Sequence, residues 1–329
     1  MNKKITIIGG SGFLGTNLCR QLASKQHDFE IIDLKISNQF SEKCKLADVR
    51  NIETLRETIT GDVVVNLAAV HRDDVRDTSE YWRTNVDGAQ NVAIVCEEKG
   101  VDRIVFTSTV AVYGFAEPGT DETAAINPFN EYGRTKFEAE EKLRAWQERT
   151  EKSLIIIRPT VIFGEGNRGN VFNLLNQIAS GKFVMIGQGK HKKSMAYIQN
   201  VVAFLELCIS TDQKYGIYNY VDTPDLTMND LVSQVRATIT GKNNVGIRLP
   251  YWLGLILGNL ADFISAITGK NLPVGAIRVR KFATSTEFAN SAHDLNQFKA
   301  PFELRDGLKN TLNAEFIKPD SNREIFYTE

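Results

Sequence analysis

The chain has 329 residues, 42% of them hydrophobic and 24% charged, with a formal net charge of −1. That length supports a large core and two unequal lobes, and the near-zero charge excludes an electrostatic field aimed at nucleic acid. Cys19, Cys44, Cys96 and Cys208 form no CxxC pair, and His27, His71, His191 and His293 show no metal-ligand spacing. Neither a disulfide framework nor a metal centre is therefore expected, and the cysteines read as reduced core residues of a cytosolic protein.

The first elements come at once. An apolar β-type run, Ile5 to Ile8, is followed by Gly9, Gly12 and Gly15, then by an amphipathic helix pattern from about Thr16 to Lys25. A second apolar run, Phe29 to Ile32, ends in Asp33. With the glycine turn beginning by residue 9, no signal peptide is expected before the first strand. A strand–turn–helix–strand unit with an acid at the tip of the second strand is the pattern of a dinucleotide site. Gly9 permits a tight turn, Gly12 lets the backbone approach a diphosphate, and Gly15 lets the helix pack on the strand. The free amides at the helix start, around Phe13 and Leu14, then face the diphosphate. Asp33 can accept hydrogen bonds from both ribose hydroxyls and would repel a 2′-phosphate, so NAD is expected over NADP, although Lys35 is close by. A bare glycine triplet also occurs in turns that bind nothing; the strand–helix context and the spacing to the acid make this one specific.

Alternation continues. A short run reaches Leu46, before Asp48 and Val49, and a helix is expected over 52–59. Asp62–Leu67 is an almost purely apolar strand, as a sheet covered on both faces requires. A helix over about 79–99, a strand over 103–107, a helix over 131–149 and a strand over 154–157 follow. The reading is α/β: a Rossmann-type doubly wound parallel sheet with a smaller mixed α/β substrate lobe. The nucleotide-binding domain is expected over 1–164. The substrate lobe is expected mainly over 165–329, with some segments returning to the large domain. Beyond Gly164, helices (Val171–Ser180, Val201–Thr211, Met228–Thr240) and short strands such as Gly216–Tyr220 read as that lobe. Ligands of such sheets lie beyond the carboxyl ends of the strands, where Ala68, Ala69, Thr107, Ser108 and Thr109 fall.

Tyr132 and Lys136, in YGRTK, share one helix face. A lysine ammonium beside the phenol lowers the tyrosine pKa, as does a nicotinamide cation, giving a phenol able to exchange a proton near neutral pH. Thr109 can offer a hydroxyl to the same substrate oxygen. YxxxK alone is common on solvated helix faces; its weight here comes from following a dinucleotide turn and a hydroxyl-rich strand end. Asn85 fits helix capping or helix–helix hydrogen bonding as well as ligand contact. His71, Arg72, Asp73 and Asp74 fit a solvated loop or a substrate-facing one.

Together, GGSGFLG, Asp33, ADV at 47–49, NLAA at 66–69, TSTVAVYG at 107–114, YGRTK at 132–136 and IRPTVIFG at 157–164 resemble the extended short-chain dehydrogenase/reductase family, in its sugar-nucleotide epimerase branch. The resemblance implies that Thr109, Tyr132 and Lys136 are the catalytic trio. It places Asp48 and Val49 against adenine, and gives Leu67, Ala68, Ala69, Thr107 and Pro159 to the cofactor lining. Dehydratases of the family carry an Asp-Glu pair after the catalytic hydroxyl; Val110 and Ala111 stand there instead, which leaves 4-epimerase and 4-keto reductase. Asp33 favours NAD, which suits an epimerase that recycles its cofactor within each turnover. AAVHRDDV at 68–75, the stretch 158–183 and KSMAYIQNVV at 193–202 are similar to bacterial epimerases acting at C4 of N-acetylglucosamine attached to undecaprenyl diphosphate, which serve O-antigen biosynthesis; relatives acting on UDP-sugars share the general pattern. His71, Asn170, Asn173, Lys193 and Lys281 are the expected substrate contacts. Lys193 replaces a usual Arg, and Asn200 a usual Asp. In relatives, helices like those over 79–99 and 131–149 pair into a homodimer; covering the sheet is the alternative role for them here.

Leu249–Ile267 is highly apolar, opens with Tyr251 and Trp252, and carries Asp262 in a polar stripe. Its length and Asp262 argue against a spanning helix. An interfacial helix on the cytoplasmic face of the inner membrane, a buried helix of the small lobe and a groove for isoprene units remain open, with Arg278, Arg280 and Lys281 following.

Overall fold

Successive apolar residues in the strands point to opposite faces, and the core divides accordingly. The computed structural model describes residues 3–72, 75–268 and 275–328, apart from the side chains at 264, 266, 267, 277, 278, 281 and 282. Asp73 and Asp74, and the side chains of Arg278 and Lys281, all singled out in the sequence, lie outside the described residues.

Strands β1 (Ile5–Ile8), β2 (Phe29–Asp33), β3 (Cys44–Leu46), β4 (Val63–Asn66), β5 (Arg103–Thr107) and β6 (Ser153–Pro159) alternate with helices α1 (Phe13–Ser24), α2 (Ile52–Thr58), α3 (Ser79–Tyr81), α4 (Gly88–Glu98) and α5 (Glu131–Thr150). Among the described residues the main sheet is all parallel, in the order β3-β2-β1-β4-β5-β6 and then β11 (Tyr215–Tyr220). Ile7, Ile31, Val65, Val105 and Ile155 join one core cluster; Ile8, Ile32, Val64, Ile104 and Ile156 join the other, with α2, α4 and α5. This two-sided burial is the reason the strands carry no polar alternation. The order reverses between β1 and β4, which opens a crevice at the carboxyl ends of the strands.

Two elements belong elsewhere than expected. The strand expected at Gly216–Tyr220 is β11 (Tyr215–Tyr220), which pairs with β6 as the seventh strand of the large sheet. The helix expected over 201–211 is α7 (Ile198–Ser210), which shares the first core cluster with α1. Both join the main sheet: β11 takes its open edge beside β6, and the apolar side chains of α7 pack in the core cluster on one of its faces.

A second group of elements, outside the main sheet, contains β7 (Val161–Phe163) paired with β10 (Met195–Tyr197), β8 (Met185–Ile186) with β13 (Arg248–Leu249), and β9 (Lys192–Lys193) with β12 (Leu226–Thr227). Helices α6 (Asn170–Ala179), α8 (Met228–Thr240), α9 (Tyr251–Thr268), α10 (Ala276–Ala283) and α11 (Leu304–Leu312) complete it. The long helix expected over 79–99 carries a π-helical stretch, Trp82–Asp87, between α3 and α4. That widened turn holds Asn85, and Gly88 just beyond it abuts Val49, whose Cγ2 would lie 2.7 Å from an added Cβ.

Helix α9 is neither wholly buried nor wholly exposed. Gly254 and Gly258 press against Ile186 and Ala276, while Trp252, Ile256, Leu260 and Phe263 face outward and are exposed.

Candidate active site

The glycine turn has the geometry its spacing predicts. Gly9 adopts φ +80°, and a Cβ there would lie 2.9 Å from the Ala68 amide nitrogen. A Cβ on Gly15 would lie 2.4 Å from the Gly9 carbonyl oxygen, so α1 packs on the turn only through glycine. Gly12 differs: a Cβ there meets only the Gly9 oxygen, at 3.5 Å. Nothing in the protein forbids a side chain at 12, which leaves the close approach of a ligand as the reason for glycine. Gly12 caps α1 without a side-chain hydrogen bond, and the first turn, which begins with Phe13 and Leu14, has no acid, so its amides are free to meet an anion.

Asp33 ends β2 beside this turn. Its carboxylate accepts from the Ser11 amide at 2.9 Å and the Lys35 amide at 3.3 Å. Leu67, Ala68 and Ala69 follow β4, and the Leu67 amide is tied to the Ile8 carbonyl at 2.9 Å. Thr107 closes β5; its hydroxyl is buried and finds no hydrogen-bond partner among the described residues. Pro159 closes the neighbouring β6. An orphaned hydroxyl, free helix amides and a cradle that a Cβ would fill suit the sugar and diphosphate of a dinucleotide. Asp48 is held by Arg50, whose guanidinium bonds both carboxylate oxygens and lowers its pKa. Val49 is buried, and its carbonyl accepts from Asn91 at 2.9 Å.

The expected trio converges. Asn130 caps α5 by accepting from the Gly133 amide at 2.9 Å, and Gly133 fits tightly against the Ala111 carbonyl, 2.5 Å from where a Cβ would stand. That close approach seats the first turn of α5 on the turn after Thr109. The Thr109 side chain accepts from the Ala111 amide at 3.1 Å and hydrogen-bonds the Tyr132 hydroxyl. Lys136 lies one helical turn further, fully buried, with Nζ 4.0 Å from the centre of the Phe106 ring.

The electrostatics differ from the expectation for Tyr132. Burial pushes its phenol up to about 12, against the pull of the Thr109 hydrogen bond. Burial also pushes Lys136 down to about 7, with the Glu140 carboxylate opposing the fall. Desolvation penalises the charged form of each group. Lowering the phenol therefore depends on a further positive charge at the site.

Sequence reasoning missed the group behind Lys136. Glu140, a turn along α5, is fully buried and receives Arg158 Nε at 2.9 Å and a terminal guanidinium nitrogen at 2.5 Å. Ser108 donates to the same carboxylate at 2.5 Å. Arg158 also donates to the Tyr113 hydroxyl at 2.7 Å, and Tyr113 donates to Asn219 at 2.9 Å. The four-residue spacing from Lys136 to Glu140 was a visible signal; the partners, on separate strands, were not.

Asn85 holds the protein together: it accepts from the Val70 amide at 2.8 Å and donates to the Val70 carbonyl and to Thr135, each at 3.0 Å. His71 lies edge-on to Tyr132, ring centres 6.5 Å apart. Desolvation lowers its pKa, while hydrogen bonds to the Ala69 and Thr328 backbone oppose that. The chain's end thus reaches the site, and upstream Glu324 accepts from Asn38 and Gln39 at 2.7 and 3.1 Å while Phe326 packs on Phe13.

The other expected substrate contacts are more dispersed. Asn170 and Asn173 stand exposed on the first turn of α6. Lys193, on β9, donates to the Thr284 carbonyl at 2.6 Å, and burial lowers it to about 8. Asn200 both donates to and accepts from the Phe302 backbone at 2.9 Å, a pairing an ionised Asp cannot make.

Residues 5–220 match the model of the NAD dependent epimerase/dehydratase family. The chain belongs to that family. It is 45% identical, over the full length of both chains, to the N-acetyl-alpha-D-glucosaminyl-diphospho-ditrans,octacis-undecaprenol 4-epimerase of Escherichia coli O157:H7. Its fold is similar to that of UDP-N-acetylglucosamine 4-epimerase from Bacillus cereus, with TM-score 0.75 and 17% identity over 98% of this chain and 99% of that one. It is also similar to UDP-glucuronic acid 4-epimerase from Bacillus cereus in complex with NAD, with TM-score 0.72 and 20% identity over 94% and 97%. NAD is the cofactor that the family and the turn geometry share.

Proposed function

We propose that this chain is an NAD-dependent 4-epimerase that interconverts N-acetylglucosamine and N-acetylgalactosamine on a polyprenyl-diphosphate carrier, through a transient 4-keto sugar. The observation that carries the reaction type is the hydroxyl pair of Thr109 and Tyr132 beside buried Lys136, followed by Val110 and Ala111, which cannot move a proton. The carrier is inferred from the full-length likeness to the lipid-linked enzyme.

In this reading Asp33 takes the adenosine ribose, the first amides of α1 the diphosphate, and Thr107 and Lys136 the nicotinamide side. When bound, NAD would supply a reversible hydride acceptor for C4, and the chain's own residues would position the sugar and move the C4 hydroxyl proton. The Tyr132 oxygen, as phenolate, accepts the C4 hydroxyl proton and later gives it back. Thr109 holds the keto oxygen by a hydrogen bond. The Lys136 ammonium keeps the phenolate accessible near neutral pH. Between the two transfers the keto sugar turns about its diphosphate linkage, so the protein must grip the diphosphate and hold the sugar loosely. Lys193, a partly buried cation on β9, is assigned to that grip; Lys281, Asn170 and Asn173 are assigned with it. The reading includes work at the cytoplasmic face of the inner membrane, in surface-polysaccharide assembly, and a homodimer through α4 and α5.

Purified protein should interconvert the gluco and galacto forms of polyprenyl-diphosphate-N-acetylhexosamine with no added reductant. Turnover of UDP-N-acetylglucosamine or UDP-glucose but not the lipid-linked sugar would replace the carrier. Stoichiometric NADPH consumption on a 4-keto sugar would replace the reaction with a reductase.

A further inference from the structure

We propose that the outward face of α9 is a docking surface for an anionic phospholipid bilayer. The inference deepens the lipid-carrier reading and rests on it for its purpose, while its geometry stands independently. Trp252, Ile256, Leu260 and Phe263 are 62%, 55%, 52% and 63% exposed. Their spacing puts them in one stripe along the helix. Ile247 and Tyr251 extend the apolar surface past the helix start and are also exposed. The opposite face is committed to the protein: Gly254 and Gly258 let α9 lie directly on Ile186 and Ala276. An exposed apolar stripe of this kind is uncommon on a surface that meets only water.

Charge selects the occupant. Residues 241–285 contain Lys242, Arg248, Lys270, Arg278, Arg280 and Lys281 against the single acid Asp262, whereas the whole chain has 39 basic and 40 acidic residues. Asp262 is engaged as an acceptor for the Ala276 amide at 2.9 Å, at the start of α10. Arg248 and Arg280 are exposed. A second copy meeting this face would bring like charge to like charge; a bilayer with anionic headgroups brings opposite charge and an apolar interior together. Trp252 and Tyr251 at one end have the amphipathic shape that settles at headgroup depth. No helix among the described residues is long and apolar enough to cross a membrane, so α9 lies on the surface.

The test uses the full chain and needs no sugar substrate. Sucrose-loaded vesicles of phosphatidylglycerol and phosphatidylcholine should co-sediment the protein, and vesicles of phosphatidylcholine alone should bind it at least tenfold less. The exposed-site variant Trp252→Glu/Phe263→Glu should lose at least tenfold in binding with its thermal melting and NAD binding unchanged. In a Trp82→Phe background, lipid-borne quenchers should quench Trp252, since Trp146 is buried. Equal binding by the double variant, or no binding to anionic vesicles, overturns the proposal. So does a loss of self-association on light scattering with vesicle binding intact, which would make α9 an interface between copies. Vesicle binding by a protein that turns over only UDP-sugars would sink the carrier reading and leave the docking surface standing.

Discussion

Replacing Glu140 by Gln isolates what the buried pair behind Lys136 contributes. Glu140 and Arg158 are 0% and 1% exposed at the side chain, and two guanidinium nitrogens reach the carboxylate at 2.9 and 2.5 Å. The substitution leaves the Arg158 cation in the interior without a counter-ion, which costs about 3–5 kcal/mol. For a chain of this size, with an unfolding entropy of about 2.1 cal/mol/K per residue, that is a fall in melting temperature of roughly 4–7 °C. Gln also removes the negative charge that opposes the fall of Lys136 below its ordinary value. Lys136 then holds less of its proton at neutral pH, and the high-pH limb of the kcat profile moves to lower pH. The double variant Glu140→Gln/Arg158→Met removes both charges and should recover at least half of the lost stability, because a neutral replacement of a buried pair is frequently tolerated. Glu140→Asp keeps the charge and should partly restore the pH profile. Urea unfolding and kcat against pH on the four proteins decide the matter. A single variant within about 1 kcal/mol of the wild type, or a pH profile lowered uniformly without displacement, would refute the electrostatic argument.

Tyr132→Phe should reduce kcat by about 10²–10⁴-fold, the scale of general acid–base catalysis, with NAD binding retained by equilibrium dialysis; retained turnover would remove the phenol from the mechanism. Gly12→Ala and Gly15→Ala should both weaken NAD binding, yet only the second should lower the melting temperature, because only there does the Cβ strike backbone, 2.4 Å from the Gly9 oxygen. Equal melting temperatures would contradict the assigned turn geometry. Lys136 titrates at about 7 in the folded protein against 10.5 for an ordinary lysine, so between those values the unfolded chain binds more protons and stability rises with pH. Lys136→Met should therefore be the more stable protein at pH 6.5, with the gap closing towards pH 9.5; a gap independent of pH would show that burial does not depress the lysine.

The cofactor half of the site was legible because its determinants are local. Gly9, Gly12, Gly15 and Asp33 act through backbone shape and charge within one strand–helix–strand unit, and Tyr132 and Lys136 meet by helical period alone. What escaped the sequence depends on distant partners. β11 reads as an isolated short strand until β6, more than fifty residues earlier, offers it an edge. Asn85 reads equally as cap or ligand contact until Val70 and Thr135 take its amide. The apolar content of α9 was plain, but which face is covered depends on Ile186 and Ala276. The tail around Glu324 and Phe326 has no periodicity to betray its contact with Asn38 and Phe13. The upward shift of the Tyr132 phenol comes from desolvation, which depends on the whole fold around it and leaves no local pattern in the sequence.

That burial also accounts for a feature that is otherwise costly. A fully enclosed carboxylate and guanidinium are seldom retained for stability, since apolar residues of similar volume serve as well. Here the pair continues a line of charge along one face of α5: Tyr132, Lys136 and Glu140 stand at successive turns, and Arg158 fixes the last of them from β6. Ser108, which also binds Glu140, immediately precedes Thr109, so the strand end carrying one catalytic hydroxyl is pinned to the helix carrying the other. Lys136 has been pushed to where a modest change in local charge decides whether it is protonated. A rigid negative group one turn away biases that choice towards the ammonium, which is the form that a phenolate needs beside it. The ion pair is thus better understood as setting the protonation state of the lysine than as holding the sheet and helix together.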